Sequence, residues 1–244
     1  MSLINVSNLT FSYEGSYDNI FENVSFQIDT DWKLGFIGRN GRGKTTFLNL
    51  LLGKYSYSGN ISSAVKFEYF PYDVEDKSLY TIEVMKSICT ECMDWEIFRE
   101  ISLLDVQEDA LYRPFNTLSN GEQTKVLLAA LFLTASCFLL IDEPTNHLDI
   151  DARNVVQNYL KRKKGFILVS HDRSLLDQCV DHILSINKTN IEIQKGNFTS
   201  WWENKTLQDN FELAENKKLL KEIGRLSYAA KRSSNWSNKV EKSK

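Results

Sequence analysis

Gly38-Arg39-Asn40-Gly41-Arg42-Gly43-Lys44-Thr45-Thr46 is the stretch on which the fold turns. Its first eight residues satisfy GxxxxGK[ST], and the flanks are those the motif needs. Residues 34–37 read as a buried apolar strand before it, and 47–52 as an amphipathic helix after it. The glycines let the backbone curl so that successive N–H groups face inward, and the helix N-terminus adds partial positive charge. Such a cradle takes phosphate. Lys44 is set to bridge the outer phosphates of a nucleotide. The Thr45 hydroxyl is set to bind Mg²⁺, a hard cation that prefers oxygen ligands.

Working outward, Leu3–Phe11, 24–28 and Lys33–Ile37 read as strands, and 65–70 as a further strand that stops at Pro71. Residues 78–113 have helical spacing and read as a small helical subdomain. A helix over 119–134, a buried strand over 137–141, a helix over 151–161 and a buried strand, Phe166–Val169, follow. Residues 182–186 and 191–194 read as a closing hairpin. Strands alternating with helices imply an α/β domain, a largely parallel sheet covered by helices.

Immediately after the apolar run 137–141 come Asp142 and Glu143. A buried strand ending in two acids delivers them to the carboxyl edge of the sheet, where α/β domains bind ligands. Downstream of a phosphate loop, Asp142 is the candidate Mg²⁺ holder through water. Glu143 is then the candidate to polarise an attacking water. Ser119 and Glu122 form an S-x-x-E capping box at the start of the 119–134 helix.

Composition narrows the class. Of 244 residues, 42% are apolar, enough for a core without disulfide support. Four cysteines, Cys89, Cys92, Cys137 and Cys179, fit a reducing compartment. Cys89 and Cys92 form a lone CxxC that supplies only two ligands of a four-coordinate zinc site, and they read as two partly buried helical cysteines. The N-terminus has no basic start followed by an apolar stretch, so no signal peptide is read. The most apolar run, 126–141, is shorter than the ~20 residues a membrane span needs and is interrupted by Thr134 and Ser136. The expectation is a soluble, cytoplasmic protein without membrane insertion.

The net charge is −3, but nine Lys or Arg and only two Glu lie from Lys217 onward. On charge alone, an acidic globule with a basic tail points either to an anionic partner for the tail or to a solvated helix face. From Phe198 to Arg232 there is no proline and one glycine, with apolar residues at Leu207, Phe211, Ala214, Leu219, Ile223, Leu226 and Ala230. This predicts a long amphipathic helix leaving the domain. The polar end, 233–244, is expected to fray. Domain boundaries are read as 1–197 and 198–244, with the helical subdomain at about 73–117.

The order of these motifs resembles that of ABC ATPases over residues 1–200. Leu118-Ser119-Asn120-Gly121-Glu122-Gln123 is similar to the family signature LSGGQ, with Asn120 in place of a glycine. The resemblance implies an ABC-type nucleotide-binding domain: a phosphate-loop core with a mostly parallel sheet, an antiparallel β subdomain and a small helical subdomain. It also implies ATP and Mg²⁺ as cofactors and a second such domain as partner. The γ-phosphate held by that second domain would meet Ser119, Asn120, Gly121 and Glu122. Tyr13 resembles the aromatic that stacks on adenine, with Phe11 as competitor, and His171 resembles the switch histidine at the γ-phosphate.

Glu143-Pro-Thr-Asn-His147-Leu-Asp149 and the Glu122-Gln123 ending resemble the ABC-F class, cytoplasmic twin-cassette proteins that bind ribosomes. In that class a helical linker joins the cassettes. Gly196-Asn-Phe-Thr-Ser-Trp-Trp leading into a basic helix looks like its start, with Lys217, Lys218, Lys221, Arg225, Lys231 and Arg232 set against rRNA and tRNA phosphates. The short span from Tyr72 to Leu118 leaves no room for an arm insertion. That resembles members that protect ribosomes from lincosamides, pleuromutilins and streptogramin A.

Two features depart from the family. A Gln that helps coordinate Mg²⁺ is replaced by Tyr72, which predicts a slow or asymmetric site. Only one cassette is present, so the chain is either the first half of a longer protein, the favoured expectation, or pairs with itself or another chain; alone it is expected to bind ATP but hydrolyse it weakly. A transporter ATPase subunit and a non-catalytic ATP-binding module are the alternatives.

Overall fold

The computed structural model describes residues 2–146, 148–187 and 190–241, with 229–241 as backbone alone. It divides into two units, Met1–Phe198 and Thr199–Lys244.

In the first unit, β1 (Leu3–Phe11) lies between β2 (Phe21–Asp29) and β4 (Ser58–Ser62) in an antiparallel three-stranded sheet. β1 alternates buried and open residues as a half-covered strand should: Ile4, Val6, Leu9 and Phe11 are inside. The larger sheet has the order β5 (Lys66–Phe70), β6 (Cys137–Asp142), β7 (Phe166–Val169), β3 (Lys33–Ile37), β8 (His182–Asn187), β9 (Asn190–Lys195). All its pairings are parallel except the β8–β9 hairpin. The central strands carry continuous apolar runs, FLLI in β6 and FILV in β7, because both faces are covered.

Helix α1 (Lys44–Leu51) follows β3 and is anchored by Phe47. The Phe47 ring lies 5.5 Å from Phe36, 5.8 Å from Phe26 and 5.9 Å from Phe21, all within one core shared by both sheets. Burying a phenylalanine of this kind is worth roughly 3 kcal/mol, so the helix that carries the phosphate loop is held firmly from beneath.

The helical part comprises α2 (Thr81–Ile88), α3 (Asp94–Leu103) and two short 3₁₀ turns, Glu108–Tyr112 and Phe115–Thr117. Cys89 and Cys92 stand at the end of α2 and in the turn before α3 rather than within a helix, and all four thiols are free. Next comes α4 (Asn120–Leu133), then α5 (Ile150–Arg162) and α6 (Arg173–Cys179). Asp149 and Asp172 cap the last two by accepting from backbone N–H groups of Ala152 and of Ser174 and Leu175.

A buried carboxylate ties α3 to the end of α5. Glu100 is 1% exposed and accepts hydrogen bonds from the Tyr159 hydroxyl at 2.6 Å, from Lys163 Nζ, and from Arg99 at 3.1 Å. Burial pushes its pKa up, but the bonds from Lys163 and Tyr159 outweigh this and hold it below the usual carboxylate range. Glu100→Gln is expected to cost about 3 kcal/mol in urea unfolding at neutral pH, since it breaks a buried pair. The folded pKa is depressed, so the stability it contributes is present above about pH 4.3 and lost as pH falls through the folded value. The gap between wild type and variant should therefore close on acidification.

Three elements differ from the sequence reading. β4 is a polar edge strand with a single glycine and no alternation to read. α6 is only seven residues long. The third is at the chain end: residues 233–241, expected to fray, continue a helix.

From Thr199 the second unit is made of that helix, α7 (Phe198–Glu241), about 66 Å long at 1.5 Å per residue. Among the described residues Leu207, Phe211, Leu219, Ile223 and Leu226 are exposed along it. The side chains of Lys231 and Arg232, and residues 242–244, lie outside the described residues. No helix among the described residues is long and apolar enough to cross a membrane.

Candidate functional site

Sheet register positions the site. Val169 at the end of β7 pairs with Phe36 of β3 on one side and Asp142 of β6 on the other. Three adjacent strands therefore stop at one level, and the segments beyond them carry the phosphate loop, Asp142–Glu143 and His171.

The phosphate loop turns through left-handed backbone at Gly41 (φ 75°) and Gly43 (φ 98°). A Cβ on Gly43 would come within 2.6 Å of Ile20 Cγ2, so this position requires glycine for both conformation and space. Gly43 leads into α1 with no side-chain cap, leaving the first N–H groups of the helix open to an anion. Lys44 Nζ donates to the Gly38 carbonyl at 2.8 Å and to Asn40 Oδ1 at 3.4 Å. Burial lowers its pKa, while Asp142 and Glu143 pull the other way.

On the acid side, Thr45 Oγ1 donates to Asp142 Oδ2 at 3.4 Å. Glu143 has φ 49°, a left-handed conformation rare outside glycine, and its N–H is held by the Val169 carbonyl at 2.9 Å. This bend turns the side chain away from the strand direction. Glu143 Oε1 is buried without a hydrogen-bond partner, and His171 Nε2 lies 3.5 Å from it. The carboxylate is 20% exposed and the imidazole 65%. Burial raises the Glu143 pKa against the attraction of His171. A buried carboxylate oxygen that accepts no hydrogen bond and faces a histidine is suited to holding a water and taking its proton.

The aromatic side is built by Tyr13, Phe11 and Tyr55, with ring centroids 5.1 to 5.8 Å apart. Tyr13 is 42% exposed and Phe11 only 6%, so Tyr13 is the ring available to a planar ligand. Its hydroxyl pairs with Thr46 Oγ1 at 2.7 Å.

These groups share one open cleft of ≈ 460 Å³. Tyr13, Asn40, Gly41, Gly43, Lys44, Thr45, Thr46, Asp142, Glu143 and His171 line it, as do Ile20 and Val169, which no motif indicated. Gly38 sits just behind as an acceptor for Lys44, and Arg39 and Arg42 are exposed on the outer turn of the loop.

Ser119, Asn120, Gly121 and Glu122 do not line this cleft. They form the N-terminus of α4. Ser119 accepts from the Glu122 N–H at 3.2 Å, and Glu122 Oε2 accepts from the Ser119 N–H and hydroxyl, both at 2.8 Å. These bonds hold the Glu122 carboxyl below its usual range. Tyr72 is likewise absent from the cleft lining, whereas Tyr69 of β5 reaches Asp142 Oδ2 at 3.1 Å. His147 lies outside the described residues.

Thr45 Oγ1 and Asp142 Oδ2 are hard oxygen donors on one wall of the cleft, a donor set that fits Mg²⁺. Thr45 and Asp142 are the residues that would hold such an ion, and it would supply positive charge against phosphate oxygens.

Residues 21–146 match the family described as ABC transporter. The chain is similar to the ribosome protection protein VmlR of Bacillus subtilis, 31% identical over 201 residues, covering 78% of this chain and 35% of that protein. It is similar to the erythromycin resistance ATP-binding protein MsrA of Staphylococcus epidermidis, 34% identical over 187 residues, covering 74% of this chain and 34% of that one. It is also similar to ABC transporter F family member 5 of Arabidopsis thaliana, 27% identical over 210 residues, covering 83% and 30%. The chain spans about a third of the length of these relatives. In fold it resembles a bacterial Atm1-family ABC exporter with ATP bound, with TM-score 0.65 and 17% identity, covering 80% of this chain and 39% of that one.

Proposed function

The chain belongs to the ATP-binding cassette family, in its ABC-F class, and on that premise we propose that it binds MgATP at Lys44 and Thr45, hydrolyses it, and couples the cycle to the ribosome. The observation that carries this reading is the meeting of Lys44, Thr45, Asp142, Glu143 and His171 in one cleft, with Glu143 Oε1 buried and without a hydrogen-bond partner. In the proposed cycle the phosphate loop and Lys44 hold the triphosphate, and Tyr13 stacks on the base. Glu143 takes a proton from the attacking water, and His171 steadies the γ-phosphate.

Ser119, Asn120, Gly121 and Glu122 stand outside this cleft because they serve the nucleotide of a second cassette. The open N-terminus of α4 supplies the partial positive charge for that task. The second cassette lies in the same longer chain or in another copy. The basic helix α7 is the start of the linker, set against ribosomal RNA and tRNA in the cytoplasm. The names of VmlR and MsrA support a protective role against ribosome-targeting antibiotics, and the missing arm insertion favours lincosamides, pleuromutilins and streptogramin A.

Pelleting purified ribosomes with the chain tests this reading. Co-sedimentation with ATP and release with ADP are expected. If four α7 cations meet phosphates, affinity should fall about a hundredfold between about 50 and about 200 mM salt. Recovery with membranes and none with ribosomes would contradict the proposal.

A further inference from the structure

Tyr69 is tied to the cleft by a bond that no motif contains. It lies on β5 opposite Leu140 of β6, so its side chain shares a sheet face with Leu140 and, two residues on, Asp142. The phenol donates to Asp142 Oδ2 at 3.1 Å. An ionised carboxylate only accepts, so the direction of this bond is fixed. The same oxygen accepts from Thr45 Oγ1 at 3.4 Å. Lys54 Nζ sits over the Tyr69 ring, 5.6 Å from its centroid.

We propose that Tyr69 is a positioning residue for the divalent ion, orienting the Asp142 carboxylate so that it and Thr45 present oxygens to one point. This rests on the reading of the cleft as a MgATP site. Thr45 can ligate a cation through an oxygen lone pair while its proton still points to Asp142 Oδ2. Tyr69 is the second donor to that oxygen, from another strand, and keeps the carboxylate from rotating. Partners of this type, one bond behind a metal ligand, typically change metal affinity by about 10- to 100-fold when removed. Tyr72 lies beyond Pro71 and off the cleft lining, so the Gln-to-Tyr change at that position leaves this bond intact.

The test uses the 244-residue chain. ATP affinity is measured with Mg²⁺ and with EDTA, and Mn²⁺ affinity by electron paramagnetic resonance with a non-hydrolysable ATP analogue present. Tyr69→Phe, which keeps the ring, should weaken Mn²⁺ binding about tenfold and leave metal-free ATP affinity unchanged. Tyr69→Phe with wild-type Mn²⁺ affinity would overturn the assignment. So would an equal loss of ATP affinity with and without metal, which is the mark of a merely structural tyrosine. If the wild-type chain binds no ATP, the cleft reading itself fails; if it binds and Tyr69→Phe is indifferent, only the Tyr69 assignment does.

Discussion

Glu143→Gln is expected to lower ATP hydrolysis at least about a hundredfold while leaving ATP binding within about twofold. Oε1 accepts no hydrogen bond, and the ion-pair contact it makes is with the exposed His171 Nε2 at 3.5 Å, so little in the fold depends on its charge there. Its place in the cleft is set by the backbone, by φ 49° and the bond to Val169, and glutamine can occupy it without rearrangement. What the amide lacks is basicity. A carboxylate whose pKa burial has raised is a better proton acceptor than an exposed one, and glutamine accepts none. The sign of the pH effect follows. The working form is deprotonated, so wild-type turnover should fall as pH drops through the raised Glu143 pKa, and the variant should show no such limb. Single-turnover phosphate release at high protein concentration measures both. In the pelleting experiment the variant should stay on ribosomes with ATP. Turnover at the wild-type rate would remove Glu143 from the chemistry.

Lys44→Ala is expected to weaken ATP binding by about 10- to 100-fold, the size of one lost charge-assisted hydrogen bond of about 1.5–3 kcal/mol. In the structure the ammonium rests on the Gly38 carbonyl and Asn40. These are neutral acceptors that a triphosphate outcompetes. Burial already disfavours the charged amine, so an arriving anion gains a partly desolvated partner. The substitution removes no core contact: α1 is held by Phe47 among Phe21, Phe26 and Phe36. Thermal stability should therefore stay close to wild type while the affinity falls, and a calorimetric titration beside a melting curve separates the two.

Local chemistry made much of this legible in advance. The glycines at 41 and 43, the run into Asp142, and the Ser119–Glu122 cap each depend on residues close in sequence, and each stands in the structure where its pattern implied. The apolar strands 137–141 and Phe166–Val169 were readable because burial on both faces demands unbroken apolar side chains. The unread parts depend on distant pairings. Tyr69 meets Asp142 only because β5 lies parallel to β6 in a particular register, and the two residues are 73 apart in the chain. β4 pairs with β1 along an exposed edge, so its residues carry no alternation. Exposure, which only folding decides, separates Tyr13 from Phe11. The continuation of α7 through residues 233–241 follows from the lack of proline or glycine there, a signal weaker than the polar composition that predicted fraying.

Triphosphate oxygens are expected to lie among the N–H groups of the loop, within reach of Lys44, Thr45, Asp142 and Glu143. A crystal structure of the chain grown with Mg²⁺ and a non-hydrolysable ATP analogue measures this directly. The expected result is the γ-phosphate in the cradle, Lys44 Nζ moved from the Gly38 carbonyl onto phosphate, and a water beside Glu143 Oε1. A nucleotide bound elsewhere, with Lys44 still on Gly38 and the cradle empty at saturating analogue, would contradict it.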